Sequence, residues 1–123
     1  QPVLGICLGM QLMCSWSAEG DTPAMNIFPE KVKLFQIGLK VPHMGWNAIE
    51  FNDNKLLSGL PSTSYVYFVH SYYAETGQDT LAICNYGMEF SAALHRDNFY
   101  AVQFHPEKSG AVGQQILSNF IEL

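Results

Sequence analysis

The sequence predicts an α/β fold in which strand–helix units are interrupted by an antiparallel β insertion. Three observations carry this expectation. The chain opens on an apolar strand that runs into a helix, and it closes on a strand that runs into a helix. Between them lies a series of short strands punctuated by glycine and proline.

Residues 1–6 read as a buried strand of the parallel type, apolar on both faces, which needs neighbouring strands and covering helices. Residues 10–16 read as the first helix, and Glu19-Gly20-Asp21-Thr22-Pro23 stops it with turn chemistry. Residues 27–41 suggest short strands divided by Pro29 and Gly38. Residues 42–47 read as a loop, and 48–51 alternate weakly as a strand. A single helical turn at 56–60 precedes Pro61. Aromatic and β-branched residues make 65–73 the strongest strand signal. Strands at 81–86 and 91–95 flank a turn at Gly87, and 100–105 is a further strand. The final helix, 111–121, carries apolar residues at Val112, Ile116, Leu117, Phe120 and Ile121.

Composition narrows the function. The 123 residues, 48% of them hydrophobic, suit one domain. Six Lys and Arg are scattered and the net charge is -5, so no basic stripe exists for nucleic acid. No apolar run approaches the ~20 residues of a membrane helix, and no membrane association is expected. Cys7, Cys14 and Cys84 are odd in number and lack metal-ligand spacing, which fits free thiols in a reducing, cytoplasmic setting. No pair of histidines has ligand spacing, and no metal or other cofactor is expected. His95 reads as a solvated turn residue, while His43 and His70 read as structural hydrogen-bond donors.

Gly5-Ile6-Cys7-Leu8-Gly9 has the small-x-nucleophile-x-small pattern of a nucleophile elbow between a strand and a helix. The tight turn calls for glycines that leave room on either side of Cys7. Thiols beside a helix N-terminus have a lowered pKa, which favours the nucleophilic thiolate. Alone, Cys7 is equally a small buried hydrophobe. A second constellation lies at the other end of the chain, in Phe104-His105-Pro106-Glu107. Residues two apart on an extended segment face the same side, so Glu107 is placed to hold and orient the His105 imidazole. Cys7, His105 and Glu107 together suit a nucleophile, its base and an orienter. Taken separately, His105 and Glu107 are ordinary residues at a helix start.

The elbow with Gln103-Phe104-His105-Pro106-Glu107-Lys108-Ser109 resembles the class I glutamine amidotransferases. Three blocks narrow the likeness: Pro42-His43-Met44-Gly45-Trp46-Asn47, Tyr67-Phe68-Val69-His70-Ser71-Tyr72 and Asn98-Phe99-Tyr100 resemble the glutaminase subunits of imidazole glycerol phosphate synthases. The resemblance spans the whole chain. It implies the flavodoxin-like fold of that family and a Cys7-His105-Glu107 triad that hydrolyses glutamine through a γ-glutamyl thioester. It further implies an oxyanion donor at the Leu8 amide, and substrate contacts from Gln11, Glu19 and the backbone of Ser71 and Tyr72. The ammonia would pass to a cyclase subunit docked around Trp46, Asn47, Tyr67 and Lys108, completing a heterodimer that serves histidine biosynthesis. Alternatives are the glutaminase domain of another class I amidotransferase and a catalytically inactive docking module. Family members carry strands and a glycine-rich oxyanion loop before the elbow. The resemblance therefore implies that residues 1–123 are the C-terminal part of a single such domain, with little glutaminase activity alone.

Overall fold

The computed structural model describes residues 1–123. Ten strands form one mixed sheet: β1 (Val3–Ile6), β2 (Trp16–Ser17), β3 (Thr22–Pro23), β4 (Lys31–Leu34), β5 (His43–Glu50), β6 (Thr63–His70), β7 (Tyr72–Ala74), β8 (Thr80–Asn85), β9 (Glu89–Arg96) and β10 (Phe99–Val102). Two helices, α1 (Leu8–Met13) and α2 (Gly110–Ile121), join it, with a single 3-10 turn at Pro106–Lys108. β9 is the hub, pairing antiparallel with β7, β8 and β10. Only β1 with β10 and β2 with β4 pair in parallel. The expected α/β character and antiparallel insertion are both present.

Alternation along β9 and β10 divides the core. Leu94 and Ala101, opposite each other in register, join Met10, Met13, Phe28 and Val32 in one apolar cluster beneath α1. Their neighbours Ala93, Tyr100 and Val102 turn to the other face, with Phe68, Phe104 and Ile116 of α2. The two helices thus cover opposite faces at the end of the sheet where the chain starts and finishes.

Several elements differ from the sequence expectation for identifiable reasons. Within residues 1–123, β1 has β10 as its one sheet neighbour, and Val3 is 38% exposed. α1 begins at Leu8 instead of Met10 because Cys7 itself is the cap residue. It ends at Met13 because residues 25–28 take its last carbonyls: the Met25 amide donates to Leu12, Asn26 to Cys14, and Ile27 and Phe28 to Met13. The expected loop at 42–47 is the first part of β5, in unbroken register with β6 from His43 opposite His70 to Glu50 opposite Thr63. Its alternation is genuine, with His43 and Ile49 buried and Met44, Trp46 and Glu50 exposed. Glycine and polar residue types conceal that period from a hydropathy reading. The single strand expected at 65–73 is two, because the chain changes partners at Ser71, leaving β5 for β4 and β9. The strand expected to reach His105 ends at Val102. Residues 56–60 form turns and no helix. His95 lies on β9, stacked on Tyr100 with ring centroids 4.1 Å apart, rather than in a solvated turn.

α2 lies so close to the 3-10 turn that a Cβ on Gly113 would sit 1.8 Å from the Pro106 carbonyl oxygen. Backbone cannot yield as a flexible side chain can. Gly113→Ala is therefore expected to lower unfolding stability by about 3 kcal/mol, measured as an earlier urea midpoint at unchanged m-value.

Candidate active site

Cys7 occupies the junction of β1 and α1 with φ 54° and ψ -106°, a left-handed conformation unusual for a residue with a Cβ. Hydrogen bonds on both sides hold it there. Its amide donates to the Val102 carbonyl at 2.8 Å, continuing the β1–β10 pairing, and its carbonyl accepts from the Gln11 amide at 3.3 Å. Only one of the two flanking glycines is sterically required. A Cβ on Gly5 would meet the Gly9 backbone and the Met13 sulfur at 3.0 Å, whereas a Cβ on Gly9 would face open space.

The sulfur has three polar neighbours. Its S–H points at the Val69 carbonyl, 3.7 Å away. The Gln103 side-chain amide donates to it at 3.6 Å. The Leu8 amide also supports the thiolate. Burial nevertheless outweighs these donors and, with the Glu107 carboxylate adding in the same direction, holds the thiol above its ordinary value of 9.0. This corrects the expectation of a lowered pKa. A one-and-a-half-turn helix offers a single amide, and desolvation of the thiolate exceeds its effect. The resting group is a thiol, which needs a base to become a nucleophile.

His105 lies on an extended segment beyond β10. Its Nδ1 donates to Glu107 Oε2 at 2.9 Å, which fixes the tautomer and leaves Nε2 as an acceptor with no protein partner. The histidine is mostly covered, with a side chain 22% exposed, while Glu107 is half-exposed. The His105 amide donates to the Tyr67 carbonyl at 3.0 Å. The buried Ser109 hydroxyl accepts from the Tyr67 amide at 3.0 Å and donates to the His105 carbonyl at 2.7 Å.

Leu8, Gln11 and Glu19 line one pocket of about 170 Å³ together with Leu12, Ser17 and Thr22. Gln11 is not the exposed helical residue its position alone would suggest. Its side-chain nitrogen donates to the Tyr72 carbonyl at 3.1 Å and to Gln103 Oε1 at 3.0 Å. The Tyr72 carbonyl is thus committed inside the protein, as is that of Ser71, which accepts from the Phe35 amide. Trp46 is 56% exposed, so it is no core tryptophan; it lies directly opposite Tyr67, their rings edge to face at 6.0 Å. Asn47 is half-buried beside it, donating to His43 Nε2 and to the Asn85 carbonyl. Lys108 is exposed on the 3-10 turn. Gln103 and Ser109, both fully buried, are site residues that the sequence reading does not single out. A polar residue within an apolar segment is the available signal for Gln103, while Ser109 reads as an ordinary helix cap.

Comparison with known proteins agrees with this architecture. The family model described as glutamine amidotransferase class-I matches residues 1–123. The imidazole glycerol phosphate synthase subunit HisH of Bacteroides fragilis is 55% identical over the whole chain, which covers 64% of that protein. The subunit of the same name from Haemophilus influenzae is 50% identical over 99% of the chain, covering 62% of its own length. The chain therefore spans somewhat under two thirds of these relatives. Among solved structures, a putative GMP synthase protein from Thermoplasma acidophilum superposes with a TM-score of 0.73 at 25% identity, covering 98% of this chain and 56% of that one. No helix is long and apolar enough to cross a membrane.

The three free thiols differ sharply in accessibility. Burial pushes Cys14 and Cys84 up to about 12, whereas Cys7 is partly exposed. Iodoacetamide at about pH 8 is expected to modify Cys7 alone, at a rate still climbing above pH 9 as the thiolate fraction grows. Peptide mapping by mass spectrometry across a pH series checks both points, and a rate plateau below pH 8 would contradict the raised thiol.

Proposed function

The chain belongs to the class I glutamine amidotransferase family, and from this premise we propose that it carries the glutaminase centre of an imidazole glycerol phosphate synthase. One observation weighs most in favour of this reading. The elbow thiol and the His105–Glu107 pair, near opposite ends of the chain, are brought to one end of the sheet by the β1–β10 pairing. The Glu107 carboxylate is near enough to raise the Cys7 thiol.

In the proposed reaction His105 Nε2 takes the Cys7 proton as the sulfur attacks the side-chain amide carbon of glutamine. The new C–S bond converts the carbonyl oxygen to an oxyanion, with the Leu8 amide as one donor. Collapse breaks the C–N bond, and the proton held on His105 passes to the departing nitrogen as ammonia. Water, deprotonated by the same imidazole, then cleaves the γ-glutamyl thioester to glutamate and restores the thiol. Glu107 stabilises the imidazolium through Nδ1 in both halves. The raised resting thiol makes this base essential. Gln11 and Glu19 bound the substrate pocket, with the Ser71 and Tyr72 backbone toward the amino-acid end of glutamine. The carbonyls of those two residues are already engaged, so their part is to shape and position more than to accept.

Exposed Trp46 on half-buried Tyr67, with Asn47 and Lys108, is the proposed docking face for a cyclase subunit that consumes the ammonia in histidine biosynthesis. Aromatic pairs exposed at a sheet edge are favourable interface anchors. Three free cysteines are consistent with a reducing, cytoplasmic setting.

Incubation with a chloroketone analogue of glutamine tests the catalytic reading. Cys7 is expected to carry the adduct, Cys7→Ala to carry none, and Glu107→Gln to react about tenfold more slowly. Absence of labelling in the presence of the cyclase subunit would sink it. For the docking face, Trp46→Ala is expected to weaken binding of a cyclase subunit of imidazole glycerol phosphate synthase by about thirtyfold in calorimetric titration.

A further inference from the structure

Gln103 is fully buried in the middle of an apolar segment. An amide there is costly unless both of its ends are partnered. Its oxygen accepts from Gln11 Nε2 at 3.0 Å, and its nitrogen faces the Cys7 sulfur at 3.6 Å. We propose that Gln103 is a positioning residue for Cys7, its N–H aimed at the sulfur by a buried hydrogen-bond chain that runs from the Tyr72 carbonyl through Gln11. The proposal rests on Cys7 being the nucleophile of the glutaminase centre.

Two hydrogen-bond runs meet at the Tyr72 carbonyl, and every link in each has one permitted direction. Asn47 Oδ1 accepts from the Ala48 amide at 2.8 Å, so its side-chain nitrogen is the group that meets His43 Nε2 at 3.2 Å. His43 Nδ1 then carries the proton and donates to His70 Nε2 at 2.9 Å. His70 Nδ1 donates to the Tyr72 carbonyl at 2.8 Å, which a carbonyl can only accept. That same carbonyl accepts from Gln11 Nε2, fixing the Gln11 amide. Gln11 Nε2 can meet only the oxygen of Gln103, and the Gln103 nitrogen is left toward the sulfur. Flipping Gln103 would set two N–H groups against each other and place a carbonyl oxygen against a sulfur about to become negative.

The Tyr72 carbonyl sets the direction on the Gln11 side, and behind it the two histidines keep their own links in order by staying neutral. A second proton on either ring would oppose the donor of its neighbour, and burial holds both low, at about 4. His43 is stacked between Phe68 and Tyr86, with centroids 4.7 and 4.0 Å away, so its ring has little freedom to turn. In this arrangement the N–H of Gln103 stabilises the thiolate at the moment His105 removes the proton.

The test is the pH dependence of Cys7 alkylation by iodoacetamide, which involves no glutamine. Gln103→Met keeps length and burial but removes the donor, and is expected to slow alkylation at about pH 8 roughly tenfold by raising the apparent thiol pKa. Gln11→Met leaves Gln103 in place but removes what orients it, and is expected to slow the reaction about threefold. Because both act through one hydrogen bond, the double variant should react no more slowly than Gln103→Met alone. Wild-type rates in Gln103→Met between about pH 7 and 9.5, or multiplicative effects in the double variant, would overturn the proposal. Should circular dichroism show Gln103→Met unfolded, an unchanged rate in Gln11→Met overturns it instead. Chloroketone labelling of the unmodified protein is measured in parallel. If that fails while the alkylation shift is seen, the glutaminase reading falls and the positioning role stands.

Discussion

The parallel pairing of β1 with β10 is the constraint on which the site depends. Its register sets Ile6 opposite Val102, and the next residues out, Cys7 and Gln103, then emerge side by side. A shift by one residue would turn each side chain to the other face and separate the thiol from its neighbours. The pairing also closes a loop of most of the chain, from Val3 to Phe99, so it carries a large entropy cost. β9 makes that closure tolerable by holding β10 in an antiparallel pair formed from much nearer sequence.

Around this register the molecule separates polar from apolar work. The α2 face is a continuous aromatic and aliphatic core in which Phe35, Phe68 and Phe90 meet edge to face. Threaded through its margin is a line of imidazoles and amides with each nitrogen and oxygen assigned. Buried polar groups of this kind specify one arrangement because partial satisfaction is worse than none. The thiol sits where the two regimes meet, desolvated by the first and offered donors by the second. Its raised resting state follows from that balance.

Much of this is legible in the residues, and the exceptions share a cause. The elbow, the His-Pro-Glu segment and α2 are readable because glycine, proline and periodic apolar residues report local geometry directly. β5 is hidden because His43, Gly45 and Asn47 hold its inward positions while Met44 and Trp46 face out, so hydropathy runs against burial. The pKa of Cys7 departs from its sequence expectation because a helix N-terminus is visible in sequence while burial of the sulfur by the folded chain is not. The steric role expected of both Gly5 and Gly9 belongs to Gly5 alone. Gln103 gives little sign of its part since its partners lie at the far end of the chain, and only the folded sheet brings them together.

The Ser109 hydroxyl, accepting from β6 and donating to the carbonyl of His105, has a practical consequence for exchanging parts among relatives. The hairpin of β5 and β6 looks like a modular face that could be transplanted by itself. It is tied to the segment bearing the histidine through that oxygen and through the His105 amide on the Tyr67 carbonyl, so a graft that stops at His70 would sever both links. The transferable cassette is discontinuous: the hairpin together with residues 105–109.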